Sequence, residues 1–517
     1  MKKIKLFIPL VLSSLSMSSC SCSKETEQPK EVVLEKTKMN STYREVMDNY
    51  YITYNAIPNQ GEPNILVLPV YFNDSDLFIP EDKKDVVKND IEKCFKGTKE
   101  DVGFESVASY YTKMSNGRCN LNIRVSDWIC VDKSFVGYKK TNEISTSLVK
   151  EVVEDYFTVT GDDRTKYDLD KNGFLDGVVV IYGAPDYQSL GDDNPNNLWA
   201  YTSWDIYATR SVESPVLCNY FWASYDFMYS KNSAASKLGN EYNYGFGDLS
   251  GGKALLDTHI FIHEMGHMFG LVDYYDYSYQ FTPAGGFSMQ DYNIGSHDPY
   301  SAMALGWCDP YIPTESCTIT LNKFQSSREV ILLTNSWNDI NSPFDEYLLI
   351  EFYSPDGLNQ FDHENQYFAT NRKQRRPVGP NECGIRLWHV DARLLSNPYR
   401  KDISNVTVDP NAQGKVTHLM SNTYYTTSSR DMISPMGKDY ANYNILQLIR
   451  NDTNESYKTK NAFDKNSLFF DGSSFAVSTF SKQFVNKSRL NSNKVLGWSF
   501  DVHIEGDQAK ISLLRTI

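Results

Sequence analysis

The sequence predicts an α+β fold: a mixed sheet with a backing helix and a second, histidine-bearing helix, followed by a β-rich C-terminal region. Three observations predict it. Continuous apolar runs at residues 64–72 and 177–182 read as strands buried on both faces. Segments with helical spacing alternate with them, the clearest carrying Ile144, Leu148, Val152 and Tyr156. Beyond Trp307 the texture changes to short alternating segments.

In chain order, the 64–72 strand is followed by a charged helix from Glu81 to Phe95, closed by Gly97. A short helix is expected over 105–111. Asn116-Gly117 then make a turn before an alternating strand from Cys119 to Val125. Asn142 is the expected cap of the helix running to Phe157. Residues 185–250 are polar and aromatic without a period, too long for a simple loop, so short elements and a functional surface are expected there. A helix from Lys253 to Phe269 follows. The later strands are expected at 317–321, 329–333, 346–352 and 384–390.

The first 19 residues are an address. Three lysines precede an apolar run from Leu6 to Leu15, too short and wrongly flanked to span a membrane. Met17-Ser18-Ser19-Cys20 resembles a bacterial lipobox, which makes Cys20 the expected lipidated residue and the cell envelope the expected location, with plain secretion the alternative. Removing 1–19 leaves 48 basic against 65 acidic residues, a charge of −17, which argues against nucleic acid as a partner. The expected organisation is a signal at 1–19, a flexible tether at 20–60, one domain at 61–310 and β-rich structure at 311–517. Oligomeric state is not legible.

The chain has only eight histidines, and three of them, His259, His263 and His267, recur every four residues on one predicted helix. His263-Glu264-Met265-Gly266-His267 is an H-E-x-x-H pattern. Residues four apart share a helix face, so both imidazoles can meet one zinc ion, and zinc lowers the pKa of water it binds to roughly 7. Glu264, beside the first ligand, is the expected general base. Gly270 can end the helix in a left-handed conformation and return the chain, so that Asp273 completes three ligands, with Asp276 the runner-up. His259 faces the same way but reads as a packed or supporting residue.

A second acidic pattern, Asp168-x-Asp170-x-Asn172-Gly173-x-x-Asp176, matches the first part of a calcium loop. Val179 stands at the twelfth position, which excludes a complete EF-hand; Asp162 or Asp163 could supply a further oxygen, and a solvated acidic turn is the alternative reading. Seven cysteines lie in the folded part and none shows C-x-x-C spacing; Cys119–Cys130 and Cys308–Cys317 are near enough in sequence to bridge. His389 and Asp391 read as a hydrogen-bonded structural pair on one strand face.

The stretch His263-Glu-Met-Gly-His-Met-Phe-Gly-Leu-Val-Asp-Tyr-Tyr-Asp276 resembles the signature of the immune inhibitor A family of secreted bacterial metallopeptidases. Phe287-Ser-Met-Gln-Asp291 resembles that family's methionine-containing turn, with Met289 as its structural methionine, and Pro299 to Trp307 its closing segment. Ser106 to Tyr111, Ser115-Asn-Gly, Glu346 to Glu351 and Gly384 to Asp391 look like further family segments, so the resemblance covers roughly residues 64–400. Val272 departs from it, standing where the family usually has proline. The segment before Asn64 is also short for a folded inhibitory propeptide.

The resemblance implies a zincin-like catalytic domain with zinc on His263, His267 and Asp273, a possible calcium site at Asp168, Asp170, Asn172 and Asp176, and a peptide or protein substrate. Tyr292 and His297 are candidates for stabilising the oxyanion of the tetrahedral intermediate, with a structural role the favoured reading of each. Two other readings stand beside endopeptidase activity. One is an inactive binding or adhesion lipoprotein on the same scaffold; the other is a metal-dependent hydrolase of non-protein amide bonds.

Overall fold

In this computed structural model the described residues are 29–48, 55–135, 143–185, 199–229, 256–276, 280–365, 376–395, 420–421 and 443–517. The signal segment, Cys20, the expected cap Asn142 and most of 185–250 lie outside them.

The first sheet is mixed. Strand β1 (Asn64–Phe72) is central in the chain's logic: nine residues with no charge, buried almost throughout. It pairs in parallel with β2 (Asn122–Val125), β3 (Ile129–Val131) and β4 (Gly177–Tyr182). Beyond β4 the order continues to β6 (Asn219–Ser224), parallel, and then to β5 (Tyr201–Trp204), which runs antiparallel at the edge. Strand side chains alternate, so each face of the sheet needs its own cover. Leu66, Leu68, Val178 and Val180 face the long helix Glu143–Thr160, which supplies Leu148, Val149, Val152 and Val153. Ile65, Val67, Val179 and Phe221 face the other way, onto the helices Lys84–Lys96 and Val107–Met114 and the histidine helix His259–Met268.

The histidine helix begins at His259, later than the expected start at Lys253; the described residues Leu256, Asp257 and Thr258 are not helical. Asp257 explains this locally, because its carboxylate accepts from the His259 main-chain N–H at 3.0 Å, an arrangement that starts a helix rather than continuing one.

The β-rich part holds two four-stranded antiparallel sheets. One contains β8 (Val330–Leu333), β9 (Glu346–Tyr353), β10 (Gly384–Asp391) and β11 (Leu446–Ile449); the other includes β7 (Cys317–Asn322). All these strands are buried on both faces. Leu349, Trp388 and Leu448 join the core of the histidine helix; Leu348, Ile350 and Leu387 pack on Phe500, Ile511 and Leu513 of the last sheet. The change of texture at 310 is therefore not a break in packing: one hydrophobic core crosses it.

Residues 29–48 and 55–60, expected to be part of a flexible tether, are instead laid along the body. Val32 N–H donates to Thr318 O at 2.9 Å, Thr37 N–H to Pro310 O at 2.8 Å, and Met39 N–H to Asp309 Oδ1 at 3.0 Å. The short helix Tyr43–Asp48 is pinned by Tyr43, whose hydroxyl lies 2.7 Å from that of Tyr300. Main chain and side chains share the work: Ser41 Oγ donates to Ser342 Oγ at 2.9 Å, and Met39, Tyr43 and Ile57 are buried in the core. All seven cysteines of the folded part are free thiols, so neither pair near enough in sequence to bridge does so. Among the described residues no helix is long and apolar enough to cross a membrane.

Candidate metal centre

His263 and His267 are one helical turn apart, and their Nε2 atoms lie 3.0 Å from each other. Each ring is turned inward by the opposite nitrogen. His263 Nδ1 donates to Met289 O and His267 Nδ1 to Leu271 O, both at 2.8 Å. A carbonyl only accepts, so the proton of each neutral ring sits on Nδ1 and the Nε2 lone pairs face a common point.

The helix stops where the sequence predicts. Gly270, at φ 103°, takes a conformation that an L side chain would strain, and its N–H donates to His267 O at 2.8 Å. The chain reverses and brings Asp273 Oδ1 to 3.0 Å from His263 Nε2 and 3.2 Å from His267 Nε2. Three ligand atoms thus form a near-equilateral triangle, buried but for part of His267. Tetrahedral zinc with bonds of about 2.0–2.1 Å needs ligand atoms about 3.3 Å apart, so the donor set and its spacing fit that ion with a small expansion. Burial opposes charge on His267, yet Asp273 beside it prevails and raises its pKa to about 9. Burial likewise opposes ionisation of Asp273, and the two histidines overcome it, holding the carboxyl well below its usual range. The site attracts positive charge.

Glu264 is buried next to this triangle, and burial pushes its pKa up. Its carboxylate Oε2 lies 3.0 Å from the hydroxyl of Thr202 on β5. No motif pointed to Thr202, which sits in the stretch without periodicity. The sequence likewise gave no sign that Leu271 would act through its main-chain oxygen, or that Gln290 would lie against the helix. Gln290 stacks on Gly266 so closely that a Cβ there would collide with its Oε1.

Other expected residues take different places. Met289 is wholly buried beneath the histidines and acts through its carbonyl. Asp276 does not join the triangle; its Oδ2 accepts from the Gln280 and Phe281 N–H groups at 2.9 and 3.3 Å, which stabilises the turn instead. His259 is packed: its ring stacks on Phe104 at 4.4 Å and lies between Asp257 (2.8 Å) and Asp362 (3.1 Å). His297 is buried against Tyr110 and Tyr111, and burial, followed by His263 and His267, lowers its pKa to about 3. That leaves it a neutral packed ring. Tyr292 lies under the Arg376 guanidinium at 5.1 Å.

At the second acidic cluster, oxygens of Asp168, Asp170 and Asp176 lie within 4.8 Å of one another. Asn172 touches the cluster through its nitrogen rather than its oxygen: Nδ2 donates to Asp170 Oδ2 at 3.3 Å, while Oδ1 accepts from Phe174 N–H at 2.9 Å. Asp162 is engaged by Tyr156, Tyr167 and Lys166, and Asp163 caps the 3-10 turn Arg164–Tyr167, so neither adds an oxygen. Burial pushes Asp176 up to about 7. Arg44, from the N-terminal strap, reaches Asp170 Oδ2 at 2.5 Å. On strand β10, His389 bonds Glu346 at 2.9 Å rather than Asp391, which pairs with Arg393. The contact is diagonal across the antiparallel pair, since Leu348 stands opposite His389 and Glu346 opposite Asp391.

Compared with protein-family models and with curated proteins, the chain matches none.

Proposed function

We propose that this protein is a zinc-dependent endopeptidase with a zincin-like catalytic domain, held at the bacterial cell envelope by a lipid on Cys20. The observation that carries the reading is the convergence of His263 Nε2, His267 Nε2 and Asp273 Oδ1 within 3.0–3.2 Å, with the carboxylate of Glu264 buried beside them. Two lone pairs and a carboxylate oxygen facing one point repel each other unless a cation or proton stands among them. The resemblance of residues 263–276 and 287–291 to the immune inhibitor A signature supports peptides as the substrate.

His263, His267 and Asp273 would hold the zinc. When bound, the ion supplies Lewis acidity that polarises a scissile carbonyl and stabilises its developing negative charge. Glu264 takes the proton of the attacking water at its carboxylate and passes it to the leaving amine. Met289 O and Leu271 O keep both imidazoles in the tautomer that offers Nε2.

The test is a peptide-library assay with zinc-loaded protein. Hydrolysis is expected to vanish with a chelator and in Glu264→Ala, while that variant still binds one zinc. Full activity in Glu264→Ala would remove the assigned base. Stoichiometric zinc without cleavage of any peptide would favour the binding-protein reading, and cleavage confined to non-protein amides would favour the third.

Calcium at Asp168, Asp170 and Asp176 is a separate proposal, supported by their convergence and by Gly173, whose φ of 86° makes the sharp turn. In this arrangement Arg44 occupies one of the three carboxylates.

A further inference from the structure

Strand β5 is fixed to the histidine helix from several directions. Thr202 is paired with Phe221 in the ladder to β6, and Asn219 of β6 donates its side-chain N–H to Met268 O at the helix end, at 2.8 Å. Trp204, on the same face as Thr202, donates its indole N–H to Asn55 O at 2.7 Å. These ties hold the Thr202 Cα where its hydroxyl meets Glu264 twice, at 2.8 Å from the main-chain O and 3.0 Å from the carboxylate Oε2. A threonine hydroxyl has one proton to give. The helix ladder already serves the main-chain oxygen of Glu264. A buried carboxylate gains more, because a hydrogen bond to an ionised acceptor is roughly twice as strong as a neutral one. Threonine also suits the place, since β-branching restricts χ1 and fixes the hydroxyl direction without help from other groups.

We propose that Thr202 is a positioning residue for Glu264: its hydroxyl fixes one carboxylate oxygen and leaves the other turned toward the attacking water. The proposal rests on the peptidase reading for its kinetic consequence, but its geometric content stands apart from it. A merely structural tie between strand and helix would need only the shape of the side chain. Positioning needs the hydroxyl.

The experiment compares zinc-loaded wild type, Thr202→Val and Thr202→Ser. Valine keeps the shape and removes the donor; serine keeps the donor and loosens its direction. The expected result is a fall in kcat of about 10–100-fold for valine, with KM and zinc affinity unchanged and most of kcat retained in serine. Wild-type kcat in the valine variant overturns the proposal, as does equal impairment of valine and serine. Crystal structures of zinc-loaded wild type and Thr202→Val give a readout independent of turnover. The Glu264 carboxylate is expected to rotate in the variant, and the same carboxylate position in both proteins overturns the proposal. If the wild type cleaves no peptide, the peptidase reading fails by itself, and the carboxylate position alone decides the role of Thr202.

Discussion

His263 donates its Nδ1 proton to the main-chain oxygen of Met289 at 2.8 Å, across 26 residues of sequence. The next residue of that turn, Gln290, accepts the Tyr274 N–H on its main-chain oxygen at 2.8 Å and lays its amide along Gly266. One short turn therefore fixes the first histidine, the helix face between the two histidines and the loop carrying Asp273. A carbonyl partner is insensitive to side-chain chemistry, so substitutions at 289 matter less than a displacement of the turn.

Gly266→Ala should cause such a displacement. The new Cβ falls on Gln290 Oε1, and Tyr111 OH stands 3.2 Å away. Overpacking of this kind costs about 1–3 kcal/mol, and zinc affinity is expected to drop with it. Gln290→Ala in the same chain should recover much of the loss. Thermal melts and zinc titrations of the four proteins form a double-mutant cycle, and strictly additive effects would remove the contact as the cause.

His259 makes a pH-dependent contribution to stability. Burial opposes its charged form, but Asp362 and Asp257 prevail and lift its pKa to about 10, above the ordinary 6.5. A raised histidine pKa means stability fully present below about pH 6.5 and lost as pH climbs through about 10. His259→Gln leaves two buried carboxylates without their cation, which costs about 3–5 kcal/mol at pH 6. Denaturant melts should show that cost shrinking toward pH 10. A cost that does not change between pH 6 and 10 would contradict a buried imidazolium.

Asp291 should behave in the opposite sense to a stabilising ion pair. It is buried, its Oδ2 accepts from Gly286 N–H at 2.7 Å, and burial pushes its pKa up to about 7. A folded pKa above the unfolded one means that stability is fully present at low pH and lost as pH rises through about 7. Asp291→Asn keeps an acceptor for Gly286 and removes the charge, so it is expected to stabilise the fold at pH 8 by about 1–4 kcal/mol. The advantage should disappear below about pH 4. Equal melting of both proteins at pH 8 would contradict the burial argument.

If the second cluster binds calcium, Arg44 and the cation should compete for Asp170. Arg44→Ala removes the guanidinium that lies 2.5 Å from its Oδ2. Calorimetric titration with calcium is expected to show tighter binding in the variant by about tenfold, the equivalent of 1.4 kcal/mol. Absence of calcium binding in both proteins would end the calcium proposal, and equal affinity would show that Arg44 does not compete.

Much of the first sheet was legible because its signals are local. The uncharged runs at 64–72 and 177–182 became β1 and β4 at those bounds, and the Glu81–Phe95 helix appears as a 3-10 turn followed by Lys84–Lys96 with Gly97 at its end. The short helix expected at 105–111 lies instead at Val107–Met114, because Ser106 accepts from Ser109 N–H and so starts it. The order of strands was not legible. Arg386 shows why this matters to the site: from β10 it bonds Glu351, packs among Tyr353, Trp388 and Phe463, and donates to Phe287 O at 3.2 Å, two residues before Met289. The β-rich part thus supports the turn beneath the histidines, a relation with no trace in spacing.

The sequence by itself determined that His263 and His267 share a face, that Gly270 ends their helix and that Asp273 lies within reach. Those facts follow from a 3.6-residue period and one glycine, both properties of a few consecutive residues. Only the tertiary structure brought Asp273 rather than Asp276 against the two histidines, gave His389 to Glu346, laid the strap containing Arg44 on Asp170 and set Thr202 against Glu264. The last of these spans 62 residues. Contacts at that range depend on how whole elements pack, and neither residue carries a local signal of the other.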